Sequence, residues 1–172
     1  MHQLILERPG RIRKFIARIK KKIDIKISVK DDRVDISGDE LNGFLVVKIL
    51  RAVDFGFDIE DALLLLNEDF HLEFINIKDF TRRRNLEDVR GRVIGARGKA
   101  KKTIEDLTGG HIVIHNNRVG IIVNTEHLES IVQAIQNLIH GAKHSNVFAY
   151  LEKQNVILRD FDEEDLGLRG NK

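Results

Sequence analysis

Val93-Ile94-Gly95-Ala96-Arg97-Gly98-Lys99-Ala100-Lys101-Lys102-Thr103-Ile104 is the most specific stretch of the chain, and its glycines decide how the rest is read. A Walker-type phosphate loop needs a glycine five positions ahead of the glycine of Gly-Lys and a Ser or Thr directly after the lysine, where the hydroxyl holds magnesium. Val93 and Ala100 stand at those positions, so that chemistry is excluded. A dinucleotide fingerprint needs a Gly-x-Gly pair between a strand and a helix, and Gly91, Gly95 and Gly98 do not supply the spacing. What remains is Gly-x-x-Gly, with Arg97, Lys99, Lys101 and Lys102 around it and no acid from Val89 to Ile104.

Working outward, the apolar period predicts short helices at Leu86 to Ile94 and Lys99 to Leu107 on either side of the motif. Alternation then predicts strands His111 to His115 and Arg118 to Asn124, followed by a helix from Glu126 to His140 capped by Thr125 and stopped by Gly141. A further strand is expected at His71 to Ile77. Two helices joined by Gly-x-x-Gly, then a strand pair and a long helix, is the layout of a KH domain, whose loop clamps about four single-stranded nucleotides. Glycine at both ends lets bare backbone approach the sugar-phosphate, and Lys99 opens a helix whose free amides favour a phosphate. Ile94, Ile104, Ile112 and Ile114 are expected to floor a groove, with the backbone of Ile112, Val113 and Ile114 reading base edges. The candidate RNA-binding set is therefore Ile94, Gly95, Ala96, Arg97, Gly98, Lys99, Lys101, Lys102, Ile112, Val113 and Ile114. The bland alternative is a tight helix-helix turn with a solvated basic face; the downstream order of elements weighs against it.

The same unit occurs twice. Asp31-Asp32-Arg33-Val34-Asp35-Ile36 reappears as Asn116-Asn117-Arg118-Val119-Gly120-Ile121, and the offset carries Val46-Val47 onto Ile131-Val132, Val53 onto Leu138 and Gly56 onto Gly141. Upstream, Ile25 and Ile27 match Ile112 and Ile114 if the second loop is two residues shorter. Leu41, Phe44, Leu45, Lys48, Ile49, Ala52 and Val53 fall on one helical face, with Ser37 or Asp39 as cap. A short helix capped by Asp58 is expected to Asn67. The interval from Leu6 to Ile25 holds one predicted helix, Arg11 to Lys22, where the second copy has two. The expected fold is α+β: two tandem type I KH domains, each a three-stranded sheet packed by helices, with the N-terminal one degenerate. The expected boundaries are 1–57 for the degenerate unit, 58–70 for a connecting helix, 71–153 for the unit with the clamp and 154–172 for a flexible acidic tail.

From Val47 to Lys153 the chain resembles the archaeal and eukaryotic ribosome-assembly KH family, whose eukaryotic member is called partner of Nob one and which is related to the Krr KH proteins. The resemblance is carried by Arg51-Ala52-Val53-Asp54-Phe55-Gly56-Phe57-Asp58, by the segment Gly91 to Glu105 with lysine at 101, and by Gly141-Ala142-Lys143-His144-Ser145. It implies binding to small-subunit pre-rRNA near its 3′ end, assisting maturation alongside a processing endonuclease; the expected protein partner is a processing endonuclease or a translation initiation factor. It places the clamp on Gly95, Ala96, Arg97 and Gly98 and the groove strand at Ile112 to Ile114. Many archaeal members of that family carry Gly-x-x-Gly in the first unit too, whereas Glu7-Arg8-Pro9-Gly10 keeps at most one glycine of it. The helix beyond offers a secondary basic surface of Arg11, Arg13, Lys14, Arg18, Lys21 and Lys22 for structured rRNA.

Composition bounds the rest. The 172 residues carry 29 Lys+Arg against 27 Asp+Glu, a net charge of +2. That balance averages opposed regions: Arg8 to Lys22 and Arg90 to Lys102 are basic, while Asp54 to Asp69 and Asp160 to Asp165 are acidic. The absence of cysteine excludes disulfides and thiolate chemistry, and no apolar stretch approaches the roughly 18 residues of a membrane span. A cytoplasmic protein is expected, nucleolar were the source eukaryotic. His111 with His115 and His140 with His144 lack a third ligand, so no metal and no cofactor are expected. No catalytic constellation stands out and an enzyme is not expected. The competing function is a protein-interaction scaffold that recruits a processing nuclease or translation factor, with RNA contact incidental.

Overall fold

Two-residue turns at Asp31-Asp32 and Asn116-Asn117 anchor the two halves, and both open on a left-handed residue, with φ of 52° at Asp31 and at Asn116. The structure, a computed structural model, describes residues 1–165. In the first unit β1 (His2–Ile5) and β2 (Lys26–Lys30) flank β3 (Arg33–Ser37), and the helices are α1 (Pro9–Arg13), α2 (Ile16–Lys22) and α3 (Glu40–Phe55). After α4 (Ile59–Leu63), β4 (Phe70–Asn76) and β5 (His111–His115) flank β6 (Arg118–Asn124), with α5 (Leu86–Ile94), α6 (Lys99–Thr108) and α7 (Thr125–His140). Each unit thus runs strand, helix, helix, strand, strand, helix around an antiparallel sheet whose last strand is central, the type I KH order.

Register corrects the alignment of the hairpins. Ile27 pairs with Ile36 and Ile112 with Ile121, so Ile27 corresponds to Ile112 and the two turns are equal in length. The first unit also has two helices where one was expected. They break at Lys14 and Phe15, both with negative φ, and half-buried Phe15 packs into the core where a clamp would otherwise stand. Gly10 lies inside α1, upstream of that junction, and is no remnant of a clamp.

Helix ends follow side-chain chemistry. Asp39 accepts the Asn42 amide at 3.1 Å and caps α3. For α7 the cap is Asn124, which accepts the Glu126 amide, rather than Thr125. The Thr125 hydroxyl is already used, donating to the Asp69 carbonyl at 2.8 Å. Leu41 and Phe44, expected on the inner face of α3, are exposed, and Phe44 lies under the Lys48 ammonium.

The two sheets are not used alike. β3 alternates buried and less buried residues, with Val34 and Ile36 inward, whereas β6 buries Val119 through Val123 without interruption. Such a run marks a strand covered on both faces. Val119, Ile121 and Val123 face the helices of their own unit, while Ile122, with Phe70, Leu72, Phe74 and Val113, packs against Phe55, Phe57 and Leu65 of the first. Burying a side chain such as Phe57 contributes about 2 kcal/mol. Residues 58–70 therefore belong to this junction: Ile59, Ala62 and Leu65 are buried in the first unit's core. α8 (His144–Asp165) packs Val147 and Leu151 inward and passes straight through residue 154, so the acidic segment up to Asp165 is helical rather than a loose tail. The remainder of the expected tail, 166–172, lies outside the described residues. No described helix is long and apolar enough to cross a membrane.

Candidate nucleic-acid interface

The clamp is built by three positive-φ residues among four, Gly95, Arg97 and Gly98. α5 ends at Gly95 (φ 75°, ψ 170°), Arg97 (φ 56°, ψ 28°) turns the chain back, and Gly98 (φ 76°, ψ 10°) opens α6. A side chain at Gly95 would put its Cβ 2.5 Å from Ala100 Cβ, so only glycine fits. At Gly98 the space is open, with no heavy atom within 4 Å of the same position. α6 starts without a side-chain cap and without an acid in its first turn, which leaves its positive dipole end uncompensated and favourable to an anion, while the Gly98 and Lys99 amides donate to the Gly95 and Ala96 carbonyls and hold the turn. Arg97, Lys99 and Lys102 are exposed and have no ion-pair partner among the described residues. Lys101 instead pairs with Glu105 at 3.3 Å.

Beside the clamp, β5 is an edge strand. Its outward amide at Ile112 is taken: Glu105 accepts it at 2.7 Å. Glu105 was not singled out from sequence; the signal was an acid on α6 seven residues ahead of an edge strand. Pairing partners alternate along an antiparallel strand, so Val113, opposite Gly120, turns its amide into the ladder. Its side chain lies against Gly56 across the unit junction, which removes Val113 from the groove. The apolar floor is also smaller than expected. Ile104 and Ile112 are fully buried, Ile114 is half-buried, and only Ile94 is appreciably exposed. Two neighbouring arginines serve structure: Arg92 donates to the Leu138 and Ala142 carbonyls, Arg90 to that of Asn116.

The secondary basic surface divides. Arg11 donates to the Gly56 and Phe57 carbonyls at 2.8 and 3.0 Å, and Arg18 pairs with Glu60. Neither is free. Arg8, in the same basic run, binds the His115 ring while its backbone amide is held by Asp54 at 2.7 Å. Arg13, Lys14, Lys21 and Lys22 remain exposed, with no ion-pair partner among the described residues. The histidines are engaged singly: His111 with Asp61 at 3.2 Å, His144 donating to the Arg92 carbonyl at 2.8 Å. Among the described residues no three His, Cys, Asp or Glu side chains stand together as a metal site.

A type I order of elements with a glycine clamp facing an edge strand defines a KH module, and relatives agree. A family model described as the eukaryotic type KH-domain, KH-domain type I, matches residues 71–156, half of the chain. A KH domain-containing protein of Methanocaldococcus jannaschii is 31% identical over 88% of this chain and 68% of its own length. A pre-rRNA-processing protein, PNO1, of Debaryomyces hansenii is 30% identical over 59% of this chain and 41% of its own length. The chain spans less than two thirds of the eukaryotic relatives it matches. Among solved structures, Dim2p in an a/eIF2alpha–aDim2p–rRNA complex from Pyrococcus horikoshii superposes with a TM-score of 0.78 at 30% identity, covering 89% of this chain and 92% of that one. The chain belongs to the KH-domain family of PNO1 and Dim2.

Proposed function

We propose that the protein binds single-stranded rRNA of the small-subunit precursor, near its 3′ end, and assists pre-rRNA processing. The observation that carries this reading is the left-handed turn from Gly95 to Gly98 opening onto an uncapped, acid-free helix start. In this reading one phosphate sits at the positive start of α6, against the bare backbone of Gly98, and Arg97, Lys99 and Lys102 neutralise it and its neighbours. Ile94 gives a base an apolar contact, and the outward edge of β5 meets base edges at Ile114 and, where a base displaces Glu105, at the Ile112 amide. Arg13, Lys14, Lys21 and Lys22 add weaker contacts to phosphates further along. The processing relatives and the rRNA held by a structural neighbour support the ligand class. That neighbour's complex also contains an initiation-factor subunit, which favours a translation initiation factor, beside a processing endonuclease, as a protein partner. The chain acts by holding RNA, with no catalytic step of its own.

Gly98→Asp tests it. The left-handed backbone and open space accept aspartate, while its charge meets the phosphate. Affinity for a short single-stranded RNA should fall by about 2 kcal/mol, roughly 30-fold, with an unchanged circular dichroism spectrum. Equal binding by wild type and variant rejects the clamp.

A further inference from the structure

A second basic feature lies away from the clamp. Between the linker after β4 and the C-terminal end of α7 is an open recess of about 700 Å³ lined by Lys78, Phe80, Arg82, Arg83 and His140, within the size range of small-ligand sites. Phe80 is half-buried against the second unit's core and meets the His140 ring edge to face, with centroids 6.2 Å apart. Lys78, Arg82 and Arg83 are exposed and have no ion-pair partner among the described residues. One acid, Asp79, also lines the recess, and its carboxylate accepts from the Asn76 side chain at 3.3 Å.

These cations are not explained by helix capping. The end of α7 is closed by the Gly141 amide and by Arg92, which takes the carbonyls of Leu138 and Ala142. Arg83 lies against Gly141, a left-handed residue (φ 105°) whose missing Cβ leaves room for the guanidinium. The linker enters α5 at its start and the clamp leaves α5 at its end, so nine residues of helix, about 13 Å, separate the two along one element.

We propose that this recess is a second nucleotide site, in which Arg82, Arg83 and Lys78 take phosphates and the Phe80–His140 pair stacks a base of RNA running beyond the clamped nucleotides. Rings beside unpaired cations suit a nucleotide better than an acidic peptide, which would use the cations and leave the rings idle. The proposal rests on the RNA-binding reading above and adds a surface to it.

The test compares wild type, Arg82→Ala/Arg83→Ala, His140→Ala and a charge-matched control, Lys30→Ala/Arg33→Ala on the first unit's hairpin. Each is titrated by fluorescence anisotropy with an RNA of about four nucleotides, the span of a KH clamp, and one of about twelve. On the longer strand the arginine pair should lose about tenfold in affinity, and its log K against log salt slope should shrink by about 1.4, two contacts of about 0.7 each. His140→Ala should lose about fivefold on the longer strand through stacking alone, with the slope kept. Binding of the four-nucleotide RNA should be unchanged in all, and the control should move neither RNA by more than about twofold. Wild-type affinity and slope in the arginine pair on the longer RNA overturn the proposal, as does an equal loss in the control. Hexaglutamate is titrated in parallel, and loss of its binding in the arginine pair with RNA binding intact overturns the proposal in favour of an acidic partner. Absence of wild-type binding to either RNA is the distinct result that removes the RNA reading itself.

Discussion

The two units share one plan, and the differences between them separate what the fold needs from what the ligand needs. In the second, α5 and α6 are joined by Gly95, packed on Ala100, and Gly98, which has open space before it, beside Arg97, Lys99 and Lys102, exposed and without ion-pair partners among the described residues. In the first, α1 and α2 meet at Phe15, which is spent on the core. On that side the Arg8 guanidinium reaches the His115 ring across the junction, while Arg11 and Arg18 reach the Gly56 and Phe57 carbonyls and Glu60 within the first unit and the helix packed on it. A run of positive charge is thus left largely without ion-pair partners among the described residues in one copy and is, in part, a structural fastening in the other. Charge count does not distinguish these roles; the location of the acids does.

The sharpest way to break the comparison is at Asp35 and Gly120, equivalent positions of the two hairpins. Asp35 faces outward and bonds Gln3 at 3.0 Å, whereas a Cβ on Gly120 would stand 2.7 to 2.8 Å from the rings of Phe55 and Phe57. Gly120→Val should destabilise by about 3 kcal/mol through overpacking the junction, while Asp35→Val should stay within about 0.5 kcal/mol. Urea unfolding of the two variants checks this. A cost for Gly120→Val below that of Asp35→Val refutes the sandwiched second sheet.

Next comes Arg11. Its replacement by Ala strands two half-buried carbonyls, so stability should drop by about 1.5 kcal/mol with RNA affinity within twofold of wild type. Arg18→Ala, which removes an exposed pair, should cost about 0.5 kcal/mol. Arg13→Ala/Lys14→Ala should do the reverse of Arg11, leaving urea unfolding unchanged. It should lower affinity for RNA longer than the clamp about threefold at low salt, because screened surface contacts contribute little each. If Arg11→Ala weakens RNA as much as the Arg13 and Lys14 pair does, the division of the basic run into fastening and ligand surface is wrong.

The repeat, the strands and the long helices were legible because each has a strong period: alternation in β3 and β5, and a helical stripe in α3 and α7. The boundaries of α5 and β6 follow from Asn85 and Gly95 and from the turn at Asn116. What was not legible depended on packing between distant segments. α1 is five residues long, and nothing in its sequence announces the break at Lys14. The partners of Arg11 and Arg18 lie more than forty residues away. Two clues were present and readable. The unbroken Val119 to Val123 run signalled a sheet covered on both faces, and strict alternation forbade Ile112, Val113 and Ile114 from facing the groove together.

The finest contrast is at the edge strands. Helix α2 of the first unit contains no acid, while α6 places Glu105 on the Ile112 amide and on Lys101 at once. A base approaching that edge meets a carboxylate where it would otherwise meet a donor, and one clamp-side lysine is drawn away from phosphate. Glu105→Gln keeps an acceptor for the amide but removes the charge. Stability should therefore hold within about 0.5 kcal/mol, while affinity for a short RNA rises about threefold at low salt and the gain fades as salt screens Lys101. Glu105→Ala removes the acceptor too and should lose about 1 kcal/mol of stability from the unpaired amide if no base replaces it. With RNA bound, that deficit should shrink, because a base edge can take the amide. A stability loss in Glu105→Ala that RNA does not reduce would mean that the Ile112 edge serves the fold alone and that the ligand is held by the clamp without it.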